Sequence, residues 1–503
     1  MKIFNSGLIH PFMFGLFPIL FIFTNNLTEI SLDSLLIPVI VIFGVITFLT
    51  FTLIKISKNI QKAALTMSFL LLLFFSIGYI RIWLYGFQIF GFALDQVVFL
   101  ISIYFVIFVV GLFSIYKIKD LSKLTQIISI VSIVVILSFL PNIVLGLTNY
   151  DHSNKNNFDT EIKFDSIKKP NIYYIILDGY ASEESLKNNF NFDNSKFLNY
   201  LRDLGFIVAE DNFSNYGATG LSMTSALNMN YIDYLDNQQG FSPNKGILEK
   251  SLFSNNLVMK TLQDNGYTTI YIDGGGPMRD MYVANKILCH STDNGLLQTL
   301  IDTSMMTYIY QKFFWDSWYE IRNCSFSELE KVHENSKTPF FVYAHLRTPH
   351  DPYFTDADGN FIQYDERADE LDEKTANERY IYQLQYTNKK MNEIITKLMS
   401  LEQKPIIIIS SDHGWGQQFA SSPPTDEDLI QWHSNFEAFY LPNIDNYEPY
   451  RKITPINIFR SIFNDYFGTH LEVLENKAYY VNFENKTNFM DQTDITDIIN
   501  SKK

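Results

Sequence analysis

Residues 406–414 read Ile-Ile-Ile-Ile-Ser-Ser-Asp-His-Gly. Four consecutive isoleucines are typical of a strand covered on both faces, because a strand with one solvated face alternates apolar and polar residues. This strand is followed at once by a carboxylate and an imidazole, Asp412 and His413. Parallel sheets bind ligands at the carboxyl ends of their strands. The stretch therefore predicts both an α/β fold and the edge of the sheet where chemistry takes place.

Two other predicted strands end in the same way. Residues 172–177 form an apolar run followed by Asp178, and residues 340–346 form another, followed by Arg347-Thr348-Pro349-His350. Helical segments alternate with these strands, which favours an α/β domain whose central, mostly parallel sheet is sandwiched by helices. Because parallel strands end at a common edge, we expect these polar side chains to lie close together.

The first 150 residues have a different composition. They contain eight Lys/Arg and four Asp/Glu, whereas the rest of the chain contains 31 and 50. Five apolar runs approach or exceed the ~20 residues that cross a bilayer as a helix. They are Leu8–Thr24, Leu35–Ile54, Ala63–Ile80, Val97–Tyr116 and Leu124–Leu147. No run has a charged residue in its interior, which favours an anchor over a transport pathway.

The lysines predict the orientation of this anchor. They lie between the second and third runs and between the fourth and fifth, at Lys55, Lys58, Lys62, Lys117, Lys119 and Lys123. By the positive-inside rule these loops and the N-terminus are cytoplasmic. Five spans then place the rest of the chain outside the cytoplasm. There Cys289 and Cys324 are either joined as a disulfide or buried as two free thiols.

These observations divide the chain into an anchor of five transmembrane helices (1–148), a polar linker (149–170) and an extracytoplasmic α/β domain (171–503). The α/β domain is acidic and has no basic stripe, so nucleic acid is excluded as a partner. Two cysteines make neither a disulfide framework nor a Cys-x-x-Cys zinc site.

The carboxylates and imidazole at the strand ends are ligands that suit Zn²⁺ or Mn²⁺. A nucleophile for such a site is offered by Thr219, where a loop leads into a predicted helix. A hydroxyl is a poor nucleophile until its proton is displaced, which metal coordination achieves. The alternative role for Thr219 alone is an N-cap of that helix.

Four segments, in order along the chain, resemble the motifs of the sulfatase branch of the alkaline phosphatase superfamily. They are Leu-Asp-Gly-Tyr (177–180), Asn-Tyr-Gly-Ala-Thr-Gly-Leu-Ser (215–222), His-Leu-Arg-Thr-Pro-His-Asp-Pro-Tyr (345–353) and Ser-Ser-Asp-His-Gly (410–414). The anchor followed by an outside domain is similar to membrane members of that branch, the lipoteichoic acid synthases and the phosphoethanolamine transferases of bacterial envelopes. The resemblance implies an enzyme of the bacterial inner (plasma) membrane.

The resemblance also implies a divalent ion, with a second ion as an option. The implied ligands of the first ion are Asp178, Thr219, Asp412 and His413. Thr219 would attack phosphorus and form a covalent phosphothreonine, while the ion lowers the pKa of the hydroxyl and stabilises the developing charge.

Further roles follow from position in the resembling motifs. His350 and His345 fall where family histidines bind phosphoryl oxygens or protonate the leaving alkoxide, a role that suits a group with a pKa near neutral. For His345, a satisfied core histidine is an equal alternative. Arg347 would clamp an oxygen, and Asn215 would orient the substrate. His433 is the candidate for a second metal ion or for substrate binding.

The chain departs from true sulfatases at the nucleophile. Those enzymes need a Cys or Ser in Cys/Ser-x-Pro-x-Arg, which matures to formylglycine, whereas this chain has Thr219-Gly220-Leu221-Ser222 with neither Pro nor Arg. The departure favours phosphoryl transfer over hydrolysis of sulfate esters. A second departure is Asp351, which puts a negative charge beside His350 near the expected anion site.

Three functions remain compatible with these residues. The first is transfer of a phosphoryl-linked head group, of the phosphoethanolamine or glycerol phosphate type, from a membrane lipid donor to an envelope glycan or lipid. The second is membrane-anchored hydrolysis of phosphate or sulfuric esters, with water as acceptor. The third is a non-catalytic envelope protein, which is disfavoured because all four implied ligands are present.

Overall fold

The computed structural model describes residues 7–25, 32–84, 88–89, 92–94, 97–144, 162–165, 169–210, 212–232, 252–275, 281, 283–289, 295–307, 316–362, 371–416, 423–444, 447–482 and 492–501. The chain divides into two units. The helical unit comprises Met1–Asn154 and Thr292–Trp315, and the α/β unit comprises Lys155–Ser291 and Asp316–Lys503.

The helical unit is built from the apolar runs at the start of the chain. Its helices are α1 (Ile9–Asn25), α2 (Leu36–Ser57), α3 (Ile60–Leu84), α4 (Val97–Lys117) and α5 (Ser122–Leu137). Four helices, corresponding to α2 through α5, are long and apolar enough to cross a membrane, while α1 is shorter, with 17 residues. The prediction of five apolar N-terminal helices is confirmed, with the first shorter than the others.

The α/β unit contains the predicted alternation of strands and helices. Its described strands in the main sheet are β1 (Ile172–Leu177), β2 (Ile207–Val208), β3 (Thr268–Asp273), β4 (Lys286–Leu288), β5 (Phe340–Leu346), β6 (Ile406–Ser410) and β7 (Glu437–Tyr440). The helices after residue 162 are α6 (Glu183–Phe190), α7 (Ser195–Asp203), α8 (Thr219–Asn228), α9 (Leu257–Asp264), α10 (Gly295–Asp302), α11 (Asp316–Lys331), α12 (Glu373–Ser400), α13 (Asp426–His433), α14 (Glu448–Arg451), α15 (Pro455–Phe467) and α16 (Thr496–Asn500). Of these, α10 belongs to the helical unit.

The sheet has the strand order β2-β7-β6-β1-β5-β3-β4. The five strands from β6 to β4 pair in parallel, and β7 and β2 add an antiparallel edge. All six residues of β1 are buried. Alternate residues of this strand enter separate apolar clusters, with Tyr173 and Ile175 in one and Ile172 and Tyr174 in the other. Both faces of the sheet are therefore covered, and the predicted mostly parallel, helix-sandwiched sheet is confirmed.

Two helices start later in the chain than the sequence predicts. The helix expected over 193–204 begins at Ser195, and the expected contribution of Asp193 to its start is seen, because Asp193 Oδ1 accepts a hydrogen bond from the Ser195 amide at 2.9 Å. The helix expected over 249–265 is represented at its end by α9, which begins after Asn256, whose side chain accepts a hydrogen bond from the Met259 amide at 2.9 Å. Asn256 competes with helical hydrogen bonding through its own side chain, and this favours a helix start over a helix interior.

Residues 292–315 were not predicted to leave the α/β unit. The described part of this segment, Gly295–Thr307, is called the arm below. Cys289 precedes the arm in the chain, and Cys324 follows it within α11. These two cysteines form a disulfide within the α/β unit, which resolves the alternative left open by the sequence.

Glu437 lies buried on β7, opposite Ser410 of β6. Its carboxyl accepts hydrogen bonds from the amides of Asn212, at 3.0 Å, and Asn435, at 3.2 Å. No cation lies within ion-pair distance of it among the described residues. Burial raises the pKa of Glu437 to about 8, against the opposing effect of these hydrogen bonds.

This burial predicts a pH-dependent stability. Between the ordinary glutamate pKa of 4.5 and about 8, the unfolded state ionises while the folded state keeps the proton. The contribution of Glu437 to folding therefore falls as pH rises, by roughly 1.4 kcal/mol per pH unit at most. We expect the melting temperature of Glu437→Gln, relative to the unchanged protein, to rise from pH 5 to pH 8 in detergent. A difference that stays constant across this range would contradict the prediction.

Candidate active site

The first part of the site is the turn that follows β1. The Asp178 amide donates to the Leu346 carbonyl at 3.0 Å, and the His350 amide donates to the Asp178 carbonyl at 3.0 Å. Gly179 has a φ of 68°, which favours glycine, and a Cβ there would lie 3.2 Å from the His350 ring. The turn thus fixes Asp178 against the loop that follows β5.

The second part follows β6. Asp412 Oδ1 accepts hydrogen bonds from the amides of Gly179 and His413, each at 3.0 Å. His413 Nδ1 lies 2.6 Å from the Gly414 carbonyl, which can only accept, so this nitrogen carries a proton. His413 Nε2 is then directed at Asp412 Oδ2 and at Asp178. A hydrogen bond from the far ring nitrogen is the usual way in which a metal-binding histidine is oriented.

The third part is the start of α8. Its N-cap is Ala218, and Thr219 is the first helical residue, so the alternative role of Thr219 as N-cap does not hold. The Thr219 hydroxyl lies 3.2 Å from His413 Nε2. The helix N-terminus adds backbone N–H groups that favour an anion near this hydroxyl.

These elements bring the four implied ligands together. From His413 Nε2, the distances are 3.2 Å to Thr219 Oγ1, 3.4 Å to Asp412 Oδ2 and 3.6 Å to Asp178 Oδ1. A tetrahedral ion with ligand bonds of ~2.0–2.1 Å separates its ligands by ~3.3 Å. Asp178 Oδ1 and Asp412 Oδ2 are buried and have no hydrogen-bond partner among the described residues. The residues therefore fit a divalent metal ion.

Asp178 is fully enclosed yet ionised. Burial opposes its charge, but the attraction of His350, His345 and His413 outweighs burial and holds the pKa of Asp178 below its ordinary value. His345 is also buried, with Nε2 3.4 Å from Asp178 Oδ2 and Nδ1 3.3 Å from the Tyr343 hydroxyl. Burial again opposes the charge, but hydrogen bonding and attraction to Asp178 raise the pKa of His345.

His350 faces a cleft of about 280 Å³ beside these residues. The cleft is lined by Gly179, His350, Asp351, Tyr353, His413, Gly414, Trp415 and Gly416. His350 Nδ1 lies 2.6 Å from Asp351 Oδ1, and its Nε2 lies 4.0 Å from Asp178 Oδ1. Burial opposes a charge on His350, but Asp178 and Asp351 raise its pKa to about 9. The negative charge of Asp351 is thus offset by the imidazolium that it orients.

The three predicted substrate-binding residues have other partners in the structure. Arg347 is partly buried and donates from Nη1 to the Gly275 carbonyl at 3.1 Å. Asn215 is buried, and its amide donates to the Lys477 carbonyl at 2.8 Å and accepts from the Ile456 amide at 3.1 Å. These bonds favour a structural role for Asn215.

His433 is buried with both ring nitrogens directed at backbone carbonyls. Nδ1 lies 2.8 Å from the Leu429 oxygen and Nε2 lies 3.3 Å from the Tyr479 oxygen. Burial lowers the pKa of His433 to about 4. The ring still packs near the loop that precedes Thr219, since a Cβ at Gly217 would lie 3.1 Å from His433 Cε1. This placement favours support of the loop over metal or substrate binding.

Two residues that the sequence analysis did not identify as part of the site, Arg322 and Gln383, donate hydrogen bonds to the backbone of the loop that carries His350. Arg322 of α11 donates to the His350 carbonyl at 3.1 Å and to Gln383 Oε1 at 2.8 Å. Gln383 of α12 donates to the same carbonyl at 2.7 Å. Burial and the charge of Arg347 lower the pKa of Arg322 to about 9. The sequence signal that could have identified Arg322 and Gln383 is a polar residue on the otherwise apolar, buried face of a helix.

Comparison with known proteins gives one match at the level of families. The sequence model of the family described as Sulfatase matches residues 170–436, which is more than half of the chain. No curated protein sequence matches the chain.

Several solved structures resemble the chain at low identity. The C-terminal periplasmic domain of EptC from Escherichia coli, in complex with Zn, is 12% identical with a TM-score of 0.44, covering 66% of this chain and 94% of that one. The soluble domain of lipooligosaccharide phosphoethanolamine transferase A from Neisseria meningitidis is 11% identical, with a TM-score of 0.40 and coverage of 60% and 89%. The lipoteichoic acid synthase LtaP from Listeria monocytogenes is 15% identical, with a TM-score of 0.37 and coverage of 70% and 81%. Identities this low transfer neither an activity nor a substrate.

The contact between His350 and Asp351 predicts a shift that NMR measures directly. In the metal-free protein, Asp351→Asn removes one of the two charges that raise the pKa of His350, so this pKa should fall from about 9 towards 6.5. The measurement is a pH titration of ¹³C-labelled histidine, with His350→Gln identifying the signal. An unchanged His350 titration in Asp351→Asn would show that the carboxylate does not act on the ring.

Proposed function

Because this chain belongs to the sulfatase family, we propose that it is a metal-dependent membrane enzyme that moves a phosphoryl-linked head group. The donor is a membrane phospholipid, the head group is of the phosphoethanolamine or glycerol phosphate type, and the acceptor is an envelope glycan or lipid. The observation that carries the proposal is the 3.2 Å approach of the Thr219 hydroxyl to His413 Nε2, beside two buried carboxylates.

The metal ion of this proposal is divalent, Zn²⁺ or Mn²⁺. Its ligands would be the carboxylates of Asp178 and Asp412, the His413 imidazole and the Thr219 hydroxyl. When bound, such an ion lowers the pKa of a coordinated hydroxyl and neutralises charge on the transferring group. Two buried carboxylates also need a positive charge between them, because like charges in a low-dielectric site repel strongly.

The reaction proceeds in two displacements at phosphorus. The Thr219 hydroxyl first releases its proton to solvent. The resulting alkoxide forms a bond to phosphorus as the bond from phosphorus to the lipid alkoxide breaks, and His350 donates a proton to the departing oxygen. His350 suits this step because it carries a proton at neutral pH and faces the cleft. An acceptor hydroxyl then gives up its proton to His350 and attacks the same phosphorus as the bond from phosphorus to the Thr219 oxygen breaks, which returns the threonine alkoxide.

The nucleophile favours phosphorus over sulfur as the reacting atom. Formylglycine is an aldehyde made by oxidising the CH₂ group of Cys or Ser. The Cβ of Thr219 carries a methyl group, so the same oxidation would give a ketone. Leu221 and Met223 also replace the Pro and Arg of the sulfatase pattern. A threonine hydroxyl acting directly on a phosphodiester requires neither the maturation nor those residues.

A membrane position follows from the donor. A phospholipid keeps its head group at the bilayer surface, and the apolar helices α2 to α5 supply the anchor. In the proposed topology the N-terminus is cytoplasmic and the α/β unit is extracytoplasmic in a bacterial inner membrane. The Cys289–Cys324 disulfide supports this side, because disulfides persist in oxidising compartments.

The nucleophile is tested by incubating the purified full chain with phospholipid that carries a labelled head group. We expect an adduct on Thr219, seen by intact mass and peptide mapping, and discharge of the adduct by an acceptor glycan more than by water. Thr219→Ala should abolish the adduct and lower turnover by on the order of 10³-fold or more, since nucleophile removal costs at least this much in other enzymes. Thr219→Ser should retain the adduct.

Ser222→Ala is the matched control, since it removes a hydroxyl from the next turn of α8. The Ser222 hydroxyl is buried and has no hydrogen-bond partner among the described residues, so the adduct should persist. An adduct that survives Thr219→Ala would refute the assignment of the nucleophile. Discharge by water alone would replace transfer with the hydrolytic alternative.

The metal ligands are tested by binding rather than by activity. Changes to groups that merely support a ligand weaken metal affinity by ~10–100-fold, so loss of a ligand in Asp412→Asn should weaken Zn²⁺ affinity by more than this. Competition with a chelating dye measures the affinity. The control is Asp264→Asn, at the exposed end of α9, which should bind as the unchanged protein does. Equal affinity in both variants would contradict the proposed ligand set.

A further inference from the structure

The arm packs tightly on the helical unit. Leu296 and Leu300 of α10 are 0% and 4% exposed and form one apolar cluster with Ile19 and Ile22 of α1. Met305 packs on a second cluster, which includes Ile77 of α3. Apolar burial of this kind contributes roughly 1.5–3 kcal/mol for each fully buried leucine.

The arm also bonds to α3 through its backbone. The Gly78 amide donates to the Thr303 carbonyl at 3.3 Å, and the Met305 amide donates to the Phe74 carbonyl at 2.9 Å. A Cβ at Gly78 would lie 2.6 Å from both the Cα and the carbonyl oxygen of Thr303. Only glycine permits this approach, so the contact is specific. The surface that binds the arm, formed by Ile19 and Ile22 of α1 and by Phe74 and Gly78 of α3, is called the seat below.

The seat lies at one end of the helical unit. Ile19 and Ile22 are in the second half of α1, and Phe74 and Gly78 are in the second half of α3. In the proposed topology these are the extracytoplasmic ends of both helices. The arm is part of the polypeptide between β4 and α11, so it must lie on the same side of the membrane as the α/β unit. The seat and the arm are therefore expected on the same side of the membrane.

The connection between the arm and the α/β unit is short. From Cys289 to Gly295 the chain has six Cα–Cα steps, a reach of at most ~20 Å, whereas Val144 to Ile162 has eighteen, a reach of ~60 Å. The disulfide between Cys289 and Cys324 ties the strand side of the arm to α11. The short connection on the strand side of the arm is therefore covalently closed to α11.

We propose that the seated arm is a second tether, which makes the enzyme selective for donors embedded in a bilayer over donors in solution. This inference rests on the proposed function. Effective concentration falls as about the −3/2 power of tether length, so a tether of six steps instead of eighteen raises it roughly fivefold. Release of the arm should thus lower the rate on membrane donors and leave the rate on soluble phosphodiesters unchanged.

Whether the arm binds the seat is tested by fragment retention, without measuring enzyme activity. A site for a specific protease is inserted within residues 149–161 of the linker in the full chain, which carries a tag at its N-terminus. The linker is then cut in detergent. The fragment that contains the arm should stay with the tagged helical unit. It should separate in Gly78→Leu, which fills the seat, and in the double variant Leu296→Asp/Leu300→Asp, which charges the buried face. Met306→Asp, at an exposed position of the arm, is the control that should stay.

Selectivity is then measured in the uncut proteins as the ratio of rates on phospholipid vesicles and on bis(4-nitrophenyl) phosphate. The ratio should fall about fivefold or more in Gly78→Leu and in the double variant, and hold in Met306→Asp. The inference is overturned by separation of the unmodified fragment, by retention in both seat variants, or by an unchanged ratio. If the unmodified protein cleaves neither donor, the proposed function and the selectivity fail together, while the retention result still decides whether the arm is seated.

Discussion

Two carboxylates, Asp178 and Asp412, are buried at the ends of adjacent parallel strands, and the site depends on what separates their charges. Coulomb repulsion between such groups is large where water is excluded. The neighbouring histidines offset part of it, but each carboxylate keeps one oxygen without a hydrogen-bond donor among the described residues. A divalent cation satisfies both oxygens at once. The fold thus places two acids at neighbouring strand ends, where the proposed cation would lie.

The other features of the site follow from this constraint. His413 turns its Nε2 towards the two acids because Gly414 holds its other nitrogen. The first turn of α8 brings the Thr219 hydroxyl to the same point. On the solvent side, Asp351 keeps His350 charged at the cleft, so a positive group faces the place where a phosphoryl group would sit. The two carboxylates, the threonine hydroxyl and the imidazoles come from separate segments that meet at the edge of the sheet.

The sequence predicted the strand ends well because the signal is local. An isoleucine run followed by Asp412 and His413 has few structural interpretations, and parallel strands place such ends together. It did not indicate the hydrogen-bond partners of Asn215 and His433, since these include backbone groups distant in sequence. The same holds for Arg322, whose contact with the His350 carbonyl depends on how α11 packs.

The position of the arm also depends on residues that are distant from it in sequence. Residues 295–307 have no run long enough to suggest a membrane helix, and the contact depends on Gly78, which lies over 200 positions earlier in the chain. A glycine within an apolar helix does not indicate which distant segment of the chain packs against it. Packing between distant segments, rather than periodicity, decides where this segment lies.

The most direct test of the central claim is X-ray absorption at the zinc edge, on the purified full chain loaded with one equivalent of Zn²⁺. The account predicts a first shell of nitrogen and oxygen at ~2.0–2.1 Å, with the outer-shell scattering of a single imidazole and no sulfur. A shell of water oxygens alone, or one with two or more imidazoles, would contradict a site made of two acids, one histidine and one threonine.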